Sequence, residues 1–320
     1  MSQFREPKPA RFFVNRRQFM AGAASLAGAG LCAASSRAQA SPYRFRHGDF
    51  EITVLSDGHL VLPATIHGLG APPLEVQGHL KEAGLDPVAV RPATNPVLIR
   101  IGLDLILLDT GSSANFQPTA GKLLDNFAAA NIDPKSVTKV VFTHAHPDHI
   151  WGTTGAGGAL HFPNAAYYVS ASEWDFWMDP ALTTKLPNPM HVFITGAQTN
   201  LTAVKHRITM VKPGDDIVTG LSVVASYGHT PGHISLLLAG SEGLLIPADA
   251  ITEPAVYFAH PEWRFAFDMD SDVAIATRKK LLDRAAADRM KMLGFHWPYP
   301  GLGSAERKGS AYRYVPATAT

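Results

Sequence analysis

The feature that most constrains this chain is one short stretch, Thr143-His144-Ala145-His146-Pro147-Asp148-His149. It follows directly on residues 137–142 (Val-Thr-Lys-Val-Val-Phe), an apolar run with the length of a buried strand. Three imidazoles and a carboxylate therefore fall within six residues at the end of one strand. A single histidine there would read as an ordinary core or surface residue; four metal-type donors together point to bound ions. Alternation along the chain puts His144 and His146 on one side. Pro147 then bends the backbone, so that Asp148 and His149 turn towards a second centre. Imidazole and carboxylate suit divalent zinc, manganese or iron.

Further donors follow other apolar runs. Gly228-His229-Thr230-Pro231-Gly232-His233 comes after Leu221–Ala225, and its Pro-Gly pair lets the backbone turn sharply. Asp249 ends the run 244–249, an uncommon place for a charge unless it is paired or bound to metal. His296 closes the run 292–296. Taken alone, His229 reads as a turn residue, Asp249 as a buried paired acid and His296 as a core histidine. Taken together, the loops gather donors at the same ends of strands, where α/β folds place their sites.

The rest of the chain fits that arrangement. Strands are expected at 50–57, 96–101, 103–108, 137–142, 166–169, 221–225, 235–238 and 244–246, with a final one at 292–295. Helices are expected at 119–130, 171–178 and from Ser271, read as an N-cap, to Arg289. Residues 61–92, rich in Pro and Gly and without a clear period, read as a loop or flap roofing a site. The pattern predicts an α/β protein, two mixed sheets packed face to face with helices outside.

The set His-x-His-x-Asp-His, Gly-His-Thr-Pro-Gly-His, an Asp after an apolar strand and a His after the last strand resembles the metallo-β-lactamase superfamily over residues 50 to about 300. The resemblance implies an αβ/βα sandwich with two metals in the groove between the sheets. Carried over, it gives His144, His146 and His233 to the first ion, Asp148, His149 and His296 to the second, and Asp249 to both. It leaves His229 outside the ligand set, and it makes Asp57 and Asp109 the acids that orient the histidines. A closer likeness rests on residues 48–53 and 56–58, Trp174-Asp175-Phe176-Trp177, Asp268–Asp270 with Arg278, and the tail 312–316. These are similar to methyl parathion hydrolase and its lactonase-like relatives, and they suggest an aromatic pocket of Phe116, Trp177 and Phe193.

Residues 1–40 read as an address. Arg16-Arg17 precede a weakly apolar Ala/Gly/Leu stretch, and Ala38-Gln39-Ala40 forms a cleavage site, which is a twin-arginine signal for delivery to the periplasm or beyond. The hydrolase domain is then 41–320. Six of the 28 basic residues and one of the 27 acids lie in that segment, so the remainder holds 22 basic against 26 acidic residues, a net −4. That surface argues against a nucleic-acid substrate. The one cysteine, Cys32, leaves with the signal, so any metal must be held by His and Asp.

The activity expected is hydrolysis. Two divalent ions, zinc first with manganese, iron or cobalt as alternatives, share a water and lower its pKa towards neutrality, with Asp148 and Asp249 as the catalytic carboxylates. Lactones or aryl esters come first as small uncharged substrates, and organophosphate triesters second. Compact acyl-homoserine lactonases of the superfamily carry a Tyr three residues after the bridging Asp; here that residue is Thr252. A β-lactamase or thioesterase of the same superfamily, and a non-catalytic metal- or ligand-binding module, are the competing readings. The partners implied are the substrate, the twin-arginine export machinery and, as an open alternative, a second copy of the chain.

Overall fold

The apolar runs become strands because each side of them finds a different core. In Asp104–Leu108, Leu105 and Leu107 pack towards helices while Ile106 and Leu108 pack towards a second sheet. Burial on both faces is what makes such strands read as unbroken hydrophobic runs rather than alternating ones. The computed structural model describes residues 41–317, so the segment 1–40, expected to be a signal, and Cys32 lie outside the described residues.

The first sheet has seven strands in the order Tyr43–His47, Phe50–Val54, Val97–Ile101, Asp104–Leu108, Lys139–Val141, Ala166–Ser170 and Ile208–Val211. Its first half is antiparallel and its second half parallel. The second sheet, also seven strands, runs Asp216–Val218, Leu221–Ala225, Ile234–Leu238, Leu244–Ile246, Lys291–Leu293, Leu302–Lys308 and Ala311–Pro316. Only the pair Leu244–Ile246 and Lys291–Leu293 is parallel there.

Between the sheets lies a core that includes Val54, Ile99, Ile106, Val141, Val223, Leu236 and Ile246. Outside the first sheet, Phe127 from the helix Leu123–Ala129, Trp177 from Ala171–Trp177 and Ile194 and Leu201 from His191–Val204 form a second core. Outside the second sheet, Leu281, Leu282 and Ala285 of the helix Ser271–Ala287 cover Leu245 and Met292. The result is the expected αβ/βα sandwich.

Several local expectations need correction. The stretch 61–92 holds a helix, Pro73–Glu82, which buries only Val76 and Leu80, too narrow a stripe to show as a period. The helix His191–Val204 was not expected at all; its buried Phe193, Ile194, Ala197 and Leu201 are interleaved with Thr, Gly and Asn, poor helix formers. The cap of the last long helix is Asp270, whose carboxylate accepts from Val273 N–H (3.0 Å), not Ser271. The strand before His296 is not the final one, because the hairpin Leu302–Lys308 and Ala311–Pro316 follows it at the sheet edge. The polar residues 306–308 on that hairpin hide the strand in sequence.

Candidate metal centre

The loop after Lys139–Val141 is held before it can wander. Asp109, itself at the end of its strand in a left-handed conformation (φ 59°), accepts from Thr143 N–H (2.8 Å) and Thr143 Oγ–H (2.8 Å). Its Oδ2 also takes Nδ1 of His149 at 2.8 Å. Pro147 does not merely bend the chain; it starts a one-turn helix, Pro147–Ile150, that carries Asp148 and His149. On the far side, the turn after Leu244–Ile246 delivers Asp249, and the segment after Lys291–Leu293 delivers His296, whose Nδ1 binds Ala93 O (2.8 Å).

These side chains converge on the Asp249 carboxylate. His149 Nε2 lies 3.2 Å from Oδ1, and Oδ2 is 3.2 Å from His296 Nε2, 3.4 Å from His229 Nε2 and 4.0 Å from His144 Nε2. Asp148 Oδ2 adds contacts at 3.3 Å to His296 and 3.5 Å to His149. The donors form three overlapping groups able to hold an ion: His144, His146 and His229; His144, His149 and Asp249; and Asp148, His149 and His296. His144 Nε2, His149 Nε2, Asp148 Oδ2 and Asp249 Oδ1 are buried without a hydrogen-bond partner. Held only by ion-pair contacts of 3.2 Å or longer, such atoms are incompletely satisfied, at a cost on the order of 1–3 kcal/mol each, and a pair of divalent cations satisfies all four. The donor set of imidazole and carboxylate therefore fits two ions.

The electrostatics agree. Burial holds His144 and His146 well below the usual imidazole range, so their lone pairs are free. Burial acts against charge on His149 too, but Asp249, Asp148 and Asp109 outweigh it and raise it well above that range. Likewise burial opposes ionisation of Asp249, while His296 and His149 hold its carboxyl well below the carboxylate range. The site carries an excess of negative charge that protons balance when cations do not.

One ligand expected from the sequence is displaced by its neighbour. His233 is buried, but Ser226 Oγ (2.8 Å) and Ser226 O (3.0 Å) surround its Nδ1, and its Nε2 accepts from Asp249 N–H (3.1 Å). Both nitrogens are spent on protein, so His233 props the turn that bears Asp249 instead of facing the cluster. His229 takes the place among the donors, with Nε2 2.9 Å from His146 Nδ1. Asp57 is also reassigned: it accepts from the N–H groups of Ser112, Gly121 and Leu123 and from Ser112 Oγ, so it shapes the loop 111–123 and touches no histidine.

Sequence reasoning missed Glu173 entirely. It is fully buried and accepts from Ala145 N–H (2.9 Å), Trp177 Nε1–H (2.7 Å), Thr230 Oγ–H (2.7 Å) and Gly232 N–H (2.9 Å). It thereby pins the His144–His146 stretch to the His229–His233 turn. Gly232 packs against the Glu173 backbone so closely that a Cβ would overlap it. An acid at the start of a helix was the signal available, and it is a weak one.

A cavity opens onto the cluster at His146, Asp148, His229, Asp249 and His296. Its other walls are mostly apolar, among them Leu60, Leu62, Phe116, Met190, Phe193, Phe265 and Phe267, with His67, Thr252 and Glu253 as the remaining polar groups. Among the described residues no Lys or Arg lines it. Trp177, expected in this wall, is 0% exposed and lies outside it, behind His146 (ring centroids 5.9 Å) and tied to Glu173. Burial pushes Glu253 up to about 7 and His67 down to about 3, so near neutral pH the imidazole is uncharged and the carboxyl about half ionised.

Comparison with known proteins agrees with this geometry. A family model described as the metallo-beta-lactamase superfamily matches residues 90–296. A Xenopus laevis protein, metallo-beta-lactamase domain-containing protein 1, is 28% identical over 192 residues, 60% of this chain and 64% of its own; the match spans less than two thirds of that relative. Among solved structures, AidC, a dizinc quorum-quenching lactonase in complex with its N-hexanoyl-L-homoserine product, superposes with a TM-score of 0.83 at 27% identity, over 89% of this chain and 100% of AidC. The hydrolase AbOPH, of the beta lactamase superfamily, gives 0.82 at 31% identity, over 89% and 100%.

Proposed function

The chain belongs to the metallo-β-lactamase superfamily and is a metal-dependent hydrolase; from that premise we propose that it uses two zinc ions to open uncharged lactones or aryl esters. His144, His146 and His229 would hold the first ion, Asp148, His149 and His296 the second, with Asp249 between them. The observation that carries this reading is the convergence of unpartnered, buried donor atoms on Asp249 at the floor of an apolar cavity. Zinc in AidC and that protein's lactone-derived product support the choice of metal and substrate.

Two divalent ions bound there supply Lewis acidity and a water whose pKa falls towards neutrality. The protein's own groups do the rest. Phe116, Phe193, Met190 and Phe267 exclude bulk water and receive the apolar part of the substrate. A charged substrate would lose its hydration against those walls without gaining a counter-ion, which disfavours it. Asp148, whose carboxylate lines the cavity, would take the proton of the attacking water and return it to the leaving oxygen. Asp109, Ala93 O and Glu173 keep the donor side chains and their loops in register. The same floor admits a phosphotriester as a secondary substrate. We also propose export by the twin-arginine route with cleavage after Ala40.

The test is a hydrolysis panel on metal-loaded protein: alkyl lactones, aryl acetates, a β-lactam, a thioester and a phosphotriester. The reading expects lactones or aryl esters to exceed the β-lactam and thioester at least a hundredfold in kcat/KM. Preference for the β-lactam or the thioester would overturn it.

A further inference from the structure

Behind His229 stands a buried ion pair that touches neither the cavity nor the other donors. Asp268 Oδ1 receives His229 Nδ1 at 3.1 Å, and Asp268 Oδ2 receives Arg278 Nη2 at 3.1 Å. Both side chains of the pair are within 1% of complete burial. The backbone delivers Asp268 to this spot in register. Met269 N–H donates to His229 O (3.1 Å), and Asp270 N–H to Gly228 O (2.9 Å).

Arg278, on the helix Ser271–Ala287, has further holds. Its Nε donates to Ala250 O (3.2 Å), one residue past Asp249, and its Nη1 to Pro261 O (3.1 Å) and Trp263 O (2.8 Å). The Tyr257 ring lies under its guanidinium at 4.1 Å. A buried pair of this kind is weak evidence for stability, since desolvation offsets most of the attraction. What it does provide is direction. A carboxylate can only accept, so it fixes the proton of His229 on Nδ1 and leaves the Nε2 lone pair facing Asp249 and His146.

We propose that Asp268, clamped by Arg278, is the positioning residue for the first metal ion: it sets the tautomer and aim of His229, while Arg278 fixes the turn of Asp249 in the same frame. This rests on His229 being a ligand of that ion, a point the controls below separate. The positioning acts on metal affinity, so it is visible without any substrate.

Metal-free protein is titrated with zinc against a chromophoric chelator. Wild type takes up two ions. Asp268→Ala weakens one of them ten- to a hundredfold, the usual effect of removing an imidazole's outer hydrogen-bond partner, and leaves the other within threefold. Asp268→Asn, which keeps an acceptor oxygen, recovers most of the loss. Two ions bound at wild-type affinity by Asp268→Ala overturn the proposal. His229→Ala is the control for the premise: retention of both ions by that variant removes His229 from the ligand set, whereas loss in His229→Ala without loss in Asp268→Ala defeats the positioning role alone. Should Asp268→Ala fail to fold, nitrogen-15 NMR of metal-free wild type decides, because the proposal requires His229 protonated on Nδ1 and is overturned by the Nε2–H form.

Discussion

Replacing Trp177 by Ala removes a fully buried indole that lies against His146 and Phe176 (ring centroids 5.9 and 5.2 Å). Truncating a buried aromatic costs about 3–5 kcal/mol in lost transfer and cavity energy. The variant also loses the Nε1–H donor to Glu173 Oε1, a hydrogen bond to a charged group worth roughly 1.5–3 kcal/mol. Since the contributions overlap, a total near 5 kcal/mol is the working figure, a large share of the ~5–15 kcal/mol that stabilises a typical protein. At about 2–4 °C per kcal/mol for a chain of this size, the melting temperature should fall by roughly 10–20 °C. Glu173 holds both donor loops, so activity should fall alongside stability and by the same factor for every substrate. Trp177→Phe, which retains most of the volume but not the donor, should lie between. Melting temperature together with kcat/KM on one small and one bulky ester reads this out. An unchanged melting temperature, with loss confined to the bulky ester, would refute the reasoning and return Trp177 to the cavity wall.

Phe193→Ala, by contrast, removes wall from the cavity, and kcat/KM for a bulky aryl ester should drop about tenfold to a hundredfold more than for a small one, with two metals still bound on elemental analysis. His67 should give the stability a pH dependence. Burial depresses it to about 3, so the unfolded chain takes up a proton near 6.5 that the folded one refuses; the stability this confers is present above 6.5 and is lost as pH falls towards 3. Between pH 7 and pH 5 the loss from His67 is about 2 kcal/mol, and His67→Gln should reduce the fall in stability over that range by this amount in denaturant unfolding, the other buried histidines such as His144 and His146 keeping their own share; an unchanged slope would place the proton uptake elsewhere.

The stretch Thr143–His149 told much of the story because its donors are local: four groups in six residues need no tertiary contact to be noticed. Asp249 and His296 were legible for a related reason, as polar residues ending apolar strands. The choice between His229 and His233 was not. Both sit on one turn, four residues apart, and only the fold shows that Ser226 and Asp249 N–H occupy the nitrogens of His233 while His229 faces the cluster. Glu173 was invisible because its four donors come from three separated segments. Trp177 and Phe193 look alike as aromatics on neighbouring helices, and which of them reaches the cavity depends on helix rotation that sequence pattern does not set. The sandwich itself followed from strands buried on both faces, whereas the hairpin 302–316, polar and at an edge, did not.

The most direct measurement is a titration of metal-free protein with zinc, following lactone or aryl-ester hydrolysis and bound metal in the same samples. The account predicts that activity is negligible without metal and reaches its plateau as occupancy approaches two ions per chain. It also predicts that Asp249→Ala loses at least one ion and nearly all activity. Hydrolysis by the metal-free protein, or an Asp249→Ala variant that keeps two ions and full activity, would contradict it.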